Sequence, residues 1–167
     1  MLQQGAGTHG DESLLESAAK PSIIGEPFSK FHQKVRQHLS TEEDSLSLLC
    51  TFHASIGDAY HFVDQRQSAD RLASTFHSTS SMKFNDMWYT EILLILALGQ
   101  LFSSRKNTQT NPPGKVYLLE AKDRLPTVEQ LLSEPVLGIE IMCLLAMYDL
   151  CCDKENDAYI YVRLFLT

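Results

Sequence analysis

From Phe28 to the end of the chain, apolar residues recur at helical spacing, and no stretch alternates as a strand would. Phe28, Phe31, Val35 and Leu39 fall at steps of three and four, one face of a first helix. Ser40-Thr41-Glu42-Glu43 pairs a hydroxyl with a carboxylate three residues on, the pattern of a capping box. It opens a second helix with Leu46, Leu49, Phe52, Ile56, Ala59 and Val63 on its inner side. Residues 64–86 are polar; Ser78 to Ser81 reads as a loop tip, with Leu72 and Phe76 in a short helical stretch before it. Met87 to Ser103 is apolar on most sides, so other elements must surround it. Gly99 lowers that helix's intrinsic stability by about 1 kcal/mol relative to Ala and suits a close crossing.

Residues 104–111 are a polar loop, after which Asn111 serves as N-cap and Pro112-Pro113 fit a first turn. The helix that follows points Tyr117, Leu118, Ala121 and Leu125 inward and Glu120, Lys122 and Asp123 outward, and Pro126 ends it. Thr127 to Leu132 forms one more short turn. Ser133-Glu134-Pro135 then starts what the pattern marks as the central, most buried helix, Pro135 to Cys152. Its two interior charges, Glu140 and Asp149, are nine positions apart and so on opposite sides of the axis. After the polar turn Asp153 to Asn156, a last helix from Asp157 to Leu166 carries Ala158, Tyr161, Val162 and Phe165 inward.

These elements predict an all-α fold, an irregular multi-helix bundle built from antiparallel helix hairpins. Residues 1–26, rich in Gly, Ser, Gln and Glu with sparse apolar positions, read as a disordered tail ahead of a helical domain over 27–167. The last helix runs out on its apolar side with no glycine cap and no basic last turn, which reads as a domain truncated at its C-terminus.

The chain has 167 residues, 44% of them hydrophobic, and a net charge of −7. That excess of acid disfavours contact with nucleic-acid phosphates or an anionic membrane. The unbroken apolar run Ile92 to Leu98 is far short of the roughly 20 residues of a membrane span. Met1 to Gly10 has neither the basic start nor the apolar stretch of a secretory signal. Cys50, Cys143, Cys151 and Cys152 lack the paired spacing of a zinc site and read as reduced, small apolar core residues.

Candidate chemistry is sparse. Asp58, His61 and Asp64 share one helical stripe, but nothing elsewhere completes a metal site, and a solvated face is the reading preferred. The other histidines, His9, His32, His38, His53 and His77, form no motif. There is no nucleophile elbow, no zinc-protease signature and no phosphate loop; Gly5-Ala-Gly7 has no strand before it. Trp88, Tyr89, Tyr117, Tyr148, Tyr159 and Tyr161 are assigned to helix packing rather than a ligand groove, and a buried Tyr148 or Tyr161 hydroxyl needs a partner. No catalytic, cofactor-binding or metal residue is assigned.

Two segments carry a resemblance. One is Trp88-Tyr-Thr-Glu-Ile-Leu-Leu-Ile-Leu-Ala-Leu-Gly-Gln-Leu-Phe102. The other is Pro113-Gly-Lys-Val-Tyr-Leu-Leu-Glu-Ala-Lys122, followed by Leu144-Leu-Ala-Met-Tyr148 and Asn156-Asp-Ala-Tyr-Ile-Tyr-Val162. Their order resembles the regulatory, or middle homology, domain of fungal transcription factors of the zinc binuclear-cluster type. Tyr117, Ala121, Tyr148, Ala158, Tyr159 and Tyr161 sit at matching positions, Phe31 to Leu39 is similar to the opening helix, and the likeness covers roughly residues 28–162. It departs at Arg163, where the family has a small residue, in lacking the six-cysteine DNA-binding cluster, and in lacking the continuing helix. The resemblance implies a nuclear, all-helical domain that modulates transcription, without catalysis, cofactor or DNA-binding element of its own. Its partners would be proteins or further copies, met through exposed apolar helix faces. The rival is a helical-repeat interaction scaffold, although no second copy appears at a 34-residue period.

Overall fold

A computed structural model describes residues 41–56, 60, 63–77, 86–104 and 111–166, the side chains of 164–166 excepted. The expected tail, the helix at Phe28 to Leu39, the loop tip at Ser78 to Ser81, and Ala59 and Phe165 lie outside what is described. The described residues form seven helices and no strand: α1 (Glu42–Ile56), α2 (Gln65–His77), α3 (Asp86–Ser103), α4 (Lys115–Asp123), α5 (Val128–Ser133), α6 (Pro135–Cys151) and α7 (Glu155–Leu166). The chain is therefore all-α. None of these helices is long and apolar enough to cross a membrane.

The centre of the fold is α3, not α6 as the pattern suggested. Thirteen of the eighteen α3 residues are buried, and α1, α2, α4 and α6 all pack on it. The run Ile92 to Leu98 has no exposed side, so it can only be covered by helices all around. By contrast nine of the seventeen α6 residues are buried, and Val136, Ile139 and Leu150 stand exposed. The longer apolar stretch of α6 thus hides a helix with one wet face.

Local chemistry sets the element boundaries. Thr41 caps α1: its Oγ1 accepts from the Asp44 N–H at 3.2 Å and donates to the Asp44 carboxylate at 2.7 Å, one residue later than the Ser40–Glu43 pairing expected. Leu49, Phe52 and Ile56 are buried on α1 as expected, but Leu46 is exposed and Ser45 is buried in its stead. Polar residues 64–86 contain a full helix, α2, capped by Asp64 Oδ1 accepting from the Gln67 N–H at 2.7 Å. Gly114 at φ +81°, not Asn111, precedes α4, and the two prolines lie outside the helix. The turn at 127 is a complete capping box, with Thr127 and Gln130 each holding the other's backbone N–H. A Schellman closure ends α6: Asp153 in the left-handed region donates its N–H to Leu150 O at 3.1 Å, and Lys154 N–H to Asp149 O at 2.8 Å. The chain thereby doubles back into α7, which packs against α6. On α7, Ala158 is buried, but Val162 faces solvent instead of the core.

Two close approaches position these helices. A Cβ on Gly99 would lie 2.3 Å from Leu48 O, so α1 crosses α3 backbone against backbone. A Cβ on Gly114 would lie 2.2 Å from Ala97 O, which seats the entry to α4 on the far end of α3.

Candidate functional site

The described residues sequester charge in two places, and both lie where helices meet α3 or α6. The first is at the α2–α3–α6 junction. Glu91 is 1% exposed and accepts a hydrogen bond from the Arg71 guanidinium of α2. Arg71 also lies over the Trp88 ring, 5.2 Å from its centroid. The half-buried Glu140 carboxyl of α6 lies close to the same Glu91 side chain. Burial raises the Glu91 pKa to about 7 against the opposing pull of Arg71, and Glu140 raises it further. Glu140 is raised as well, by burial first, with Arg71 opposing. Two carboxyl groups and one guanidinium share this space, so one retained proton removes the repulsion between the acids.

The second is at the α4–α6–α7 junction. Asp149 is fully buried, with Lys122 Nζ at 3.4 Å and Lys154 Nζ at 4.0 Å from its two oxygens. Lys122 is not the free outward charge expected of it. It also sits 5.5 Å from the Tyr161 ring centroid; desolvation pulls its pKa down, but its interactions with Tyr161 and the Asp149 charge together outweigh that and raise it. Between these junctions, Arg124 pairs with Glu120 at 2.6 Å and covers the buried Tyr89 ring at 5.4 Å.

The residues singled out from sequence scatter. Asp64 caps α2, while Asp58 and His61 lie outside the described residues. Among the described residues, no three His, Cys, Asp or Glu side chains cluster as metal ligands would. His53 Nε2 lies 3.0 Å from Ser68 Oγ across α1 and α2, its pKa lowered by burial. His77 pairs with Glu42 at 2.8 Å on the surface. The four cysteines are free thiols, but none is a buried core residue: Cys50 and Cys151 are exposed, Cys143 and Cys152 half-buried. Tyr148 finds the partner its burial requires, donating to Pro113 O at 2.7 Å. Tyr89 and Tyr117 are buried too, whereas Trp88 and Tyr159 are exposed. An open hollow at Asp153 to Asp157 is lined only by the polar α6–α7 turn.

Sequence reasoning assigned no role to Arg71 or Glu91 and placed Lys122 outward. The available signal was a single carboxylate, Glu91, one residue before an unbroken apolar run on a helix expected to be buried all round. Neither junction offers a nucleophile beside a base; each ties helices together. No family model, curated protein or solved structure matches this chain.

Proposed function

We propose that this chain is a helical regulatory domain of the fungal zinc-cluster transcription-factor type, acting in the nucleus through protein contacts and without catalysis. One observation supports the reading most. Four of the residues that carry the resemblance, Tyr117, Ala121, Tyr148 and Ala158, are buried packing positions on α4, α6 and α7. Tyr161 adds a partly buried contact with Lys122, while Tyr159 is exposed and contributes nothing to it. Radial packing of four helices on α3 favours this over a repeat scaffold, in which each unit touches only its sequence neighbours. The net charge of −7 fits a domain that leaves DNA contact to another segment.

A tethering assay tests the reading. The chain is placed between an unrelated DNA-binding domain and an acidic activation segment, and reporter output is compared with a Leu145→Asp version, which buries an unpaired charge in the core and unfolds the domain. A regulatory domain changes output only while folded. Identical output from the two fusions at equal protein level sinks the proposal.

A further inference from the structure

Helix α2 is fastened to the fold differently from its neighbours. Three of its thirteen residues are buried, Ser68, Leu72 and Thr75, so Leu72 is the one large apolar side chain it hides completely. Ala69 and Phe76 pack on the core only in part. The seam's two hydroxyls donate within α2 itself, Ser68 Oγ to Gln65 O at 3.0 Å and Thr75 Oγ1 to Leu72 O at 2.6 Å. Toward other helices α2 reaches with side-chain tips. Arg71 meets Glu91 and the Trp88 ring on α3, while Ser68 meets His53 and His77 meets Glu42 on α1.

Such fastenings lose little when they part. Arg71 and Glu91 give up each other but regain water, and a buried ion pair gains little over its separately solvated ions. His53 and Ser68 are groups that water can serve, and the His77–Glu42 pair already lies in solvent. The other approaches to α3 are of another kind. α1 crosses it with Leu48 O against Gly99, and the entry to α4 is seated with Gly114 against Ala97 O. α2 takes no part in either crossing, and α4 and α6 pack on α3 directly.

We propose that α2 is a detachable strap, lifting from α1 and α3 as one helix while α1, α3, α4 and α6 stay packed. Units of this kind open more often than the whole domain unfolds. Lifting uncovers Glu91 and the face of Trp88 on which Arg71 lies, so the fold presents that acid and that ring together only with the strap open.

Native-state amide exchange of the full chain at about pH 7, followed residue by residue in rising sub-denaturing urea, tests the strap. Amides of α2 are expected to exchange through an opening at least about a hundredfold more frequent than the one that exposes Leu93 to Leu98. Their exchange should also be nearly independent of urea, because lifting bares little surface. Two variants separate lifting from unfolding. Leu118→Val, in the buried face of α4, weakens the docked and lifted states alike. It speeds exchange in α3 about fivefold and leaves α2 within about twofold of the parent. Arg71→Lys keeps the charge but not the planar fork and weakens the docked state alone, so α2 and α3 quicken by one common factor of about fivefold. If α2 exchanges only together with α3, with the same urea slope and the same response to Leu118→Val, the strap does not exist. The proposal is equally overturned if α1 opens with α2, or if Arg71→Lys leaves α2 exchange unchanged.

Discussion

Glu91 and Asp149 are both buried acids at three-helix junctions, yet their surroundings are opposite in kind. Glu91 meets one guanidinium and a second carboxyl, Glu140; Arg71 is only 10% exposed and Glu140 is half-buried. Asp149 meets two ammonium groups on stems that reach solvent. The first junction has more acid than base and needs a proton to balance; the second has base to spare and water at its edge. Burying a carboxylate is therefore not one motif with one consequence. The company it keeps decides whether the joint between helices responds to pH.

The sharpest break in that comparison comes from removing a cation at each junction. Arg71→Met leaves the buried Glu91 facing a second acid with no cation beside it and is expected to cost about 3–5 kcal/mol at pH 8. Lys122→Met leaves Lys154 beside Asp149 and is expected to cost about 1–2 kcal/mol, with Lys122→Asp costing more because it sets a second acid against Asp149. Urea unfolding of the three variants against the parent measures both; equal losses for Arg71→Met and Lys122→Met would erase the distinction drawn above.

pH sharpens it further. Folding lifts the Glu91 pKa to about 7, so between its ordinary carboxylate range and pH 7 the folded chain keeps a proton that the unfolded chain has released. This contribution to stability is greatest below about pH 4, declines as pH climbs to 7, and is constant above. His53, whose pKa is lowered on folding, pulls the other way over the same range, so the test is a difference between proteins. Parent and Glu91→Gln are unfolded in urea at pH 5 and pH 8. The parent is expected to lose stability relative to the variant at the higher pH, since Gln can serve Arg71 and Glu140 without titrating. A pH-independent difference would show that Glu91 ionises in the fold as it does in the open chain.

The smallest effect is expected at Trp88. It is half in solvent beneath Arg71, and Trp88→Leu removes a cation–π contact of about 0.5–1 kcal/mol. Thermal unfolding in the parent and in an Arg71→Met background separates the contact from the area lost with the ring: the loss should shrink when Arg71 is already gone.

Much of this fold can be read along the chain. The helical class, the helix over 87–103, the close crossing at Gly99 and the partner demanded by Tyr148 follow from apolar spacing and from what burial requires of a polar group. The α2 helix is harder, because its buried seam is Ser68, Leu72 and Thr75, two hydroxyls and one leucine, which register as polar in any count of apolar positions. Glu140 and Asp149 are legible as lying on opposite sides of α6. Their partners are not, since Arg71 and Lys122 come from other helices and their long stems place charge at a distance from the backbone. For the same reason Lys122 reads as solvent-facing when its ammonium lies against a buried carboxylate. The prominence of α6 over α3 is a false lead of mean apolarity: a helix can be apolar all round and still have a face that no other described element covers.

The two glycine contacts make the ends of α3 mechanically unlike. Around Ala97 to Gly99 the contacts are backbone on backbone, Leu48 O against Gly99 and Ala97 O against Gly114, and carbonyls have no rotamers through which to yield. Around Trp88 to Glu91 it is held by Arg71, Arg124 and Glu140, side chains with several torsions each. A side chain added at Gly99 or Gly114 must therefore displace backbone, whereas a change at the Arg71 end is absorbed by side-chain torsions.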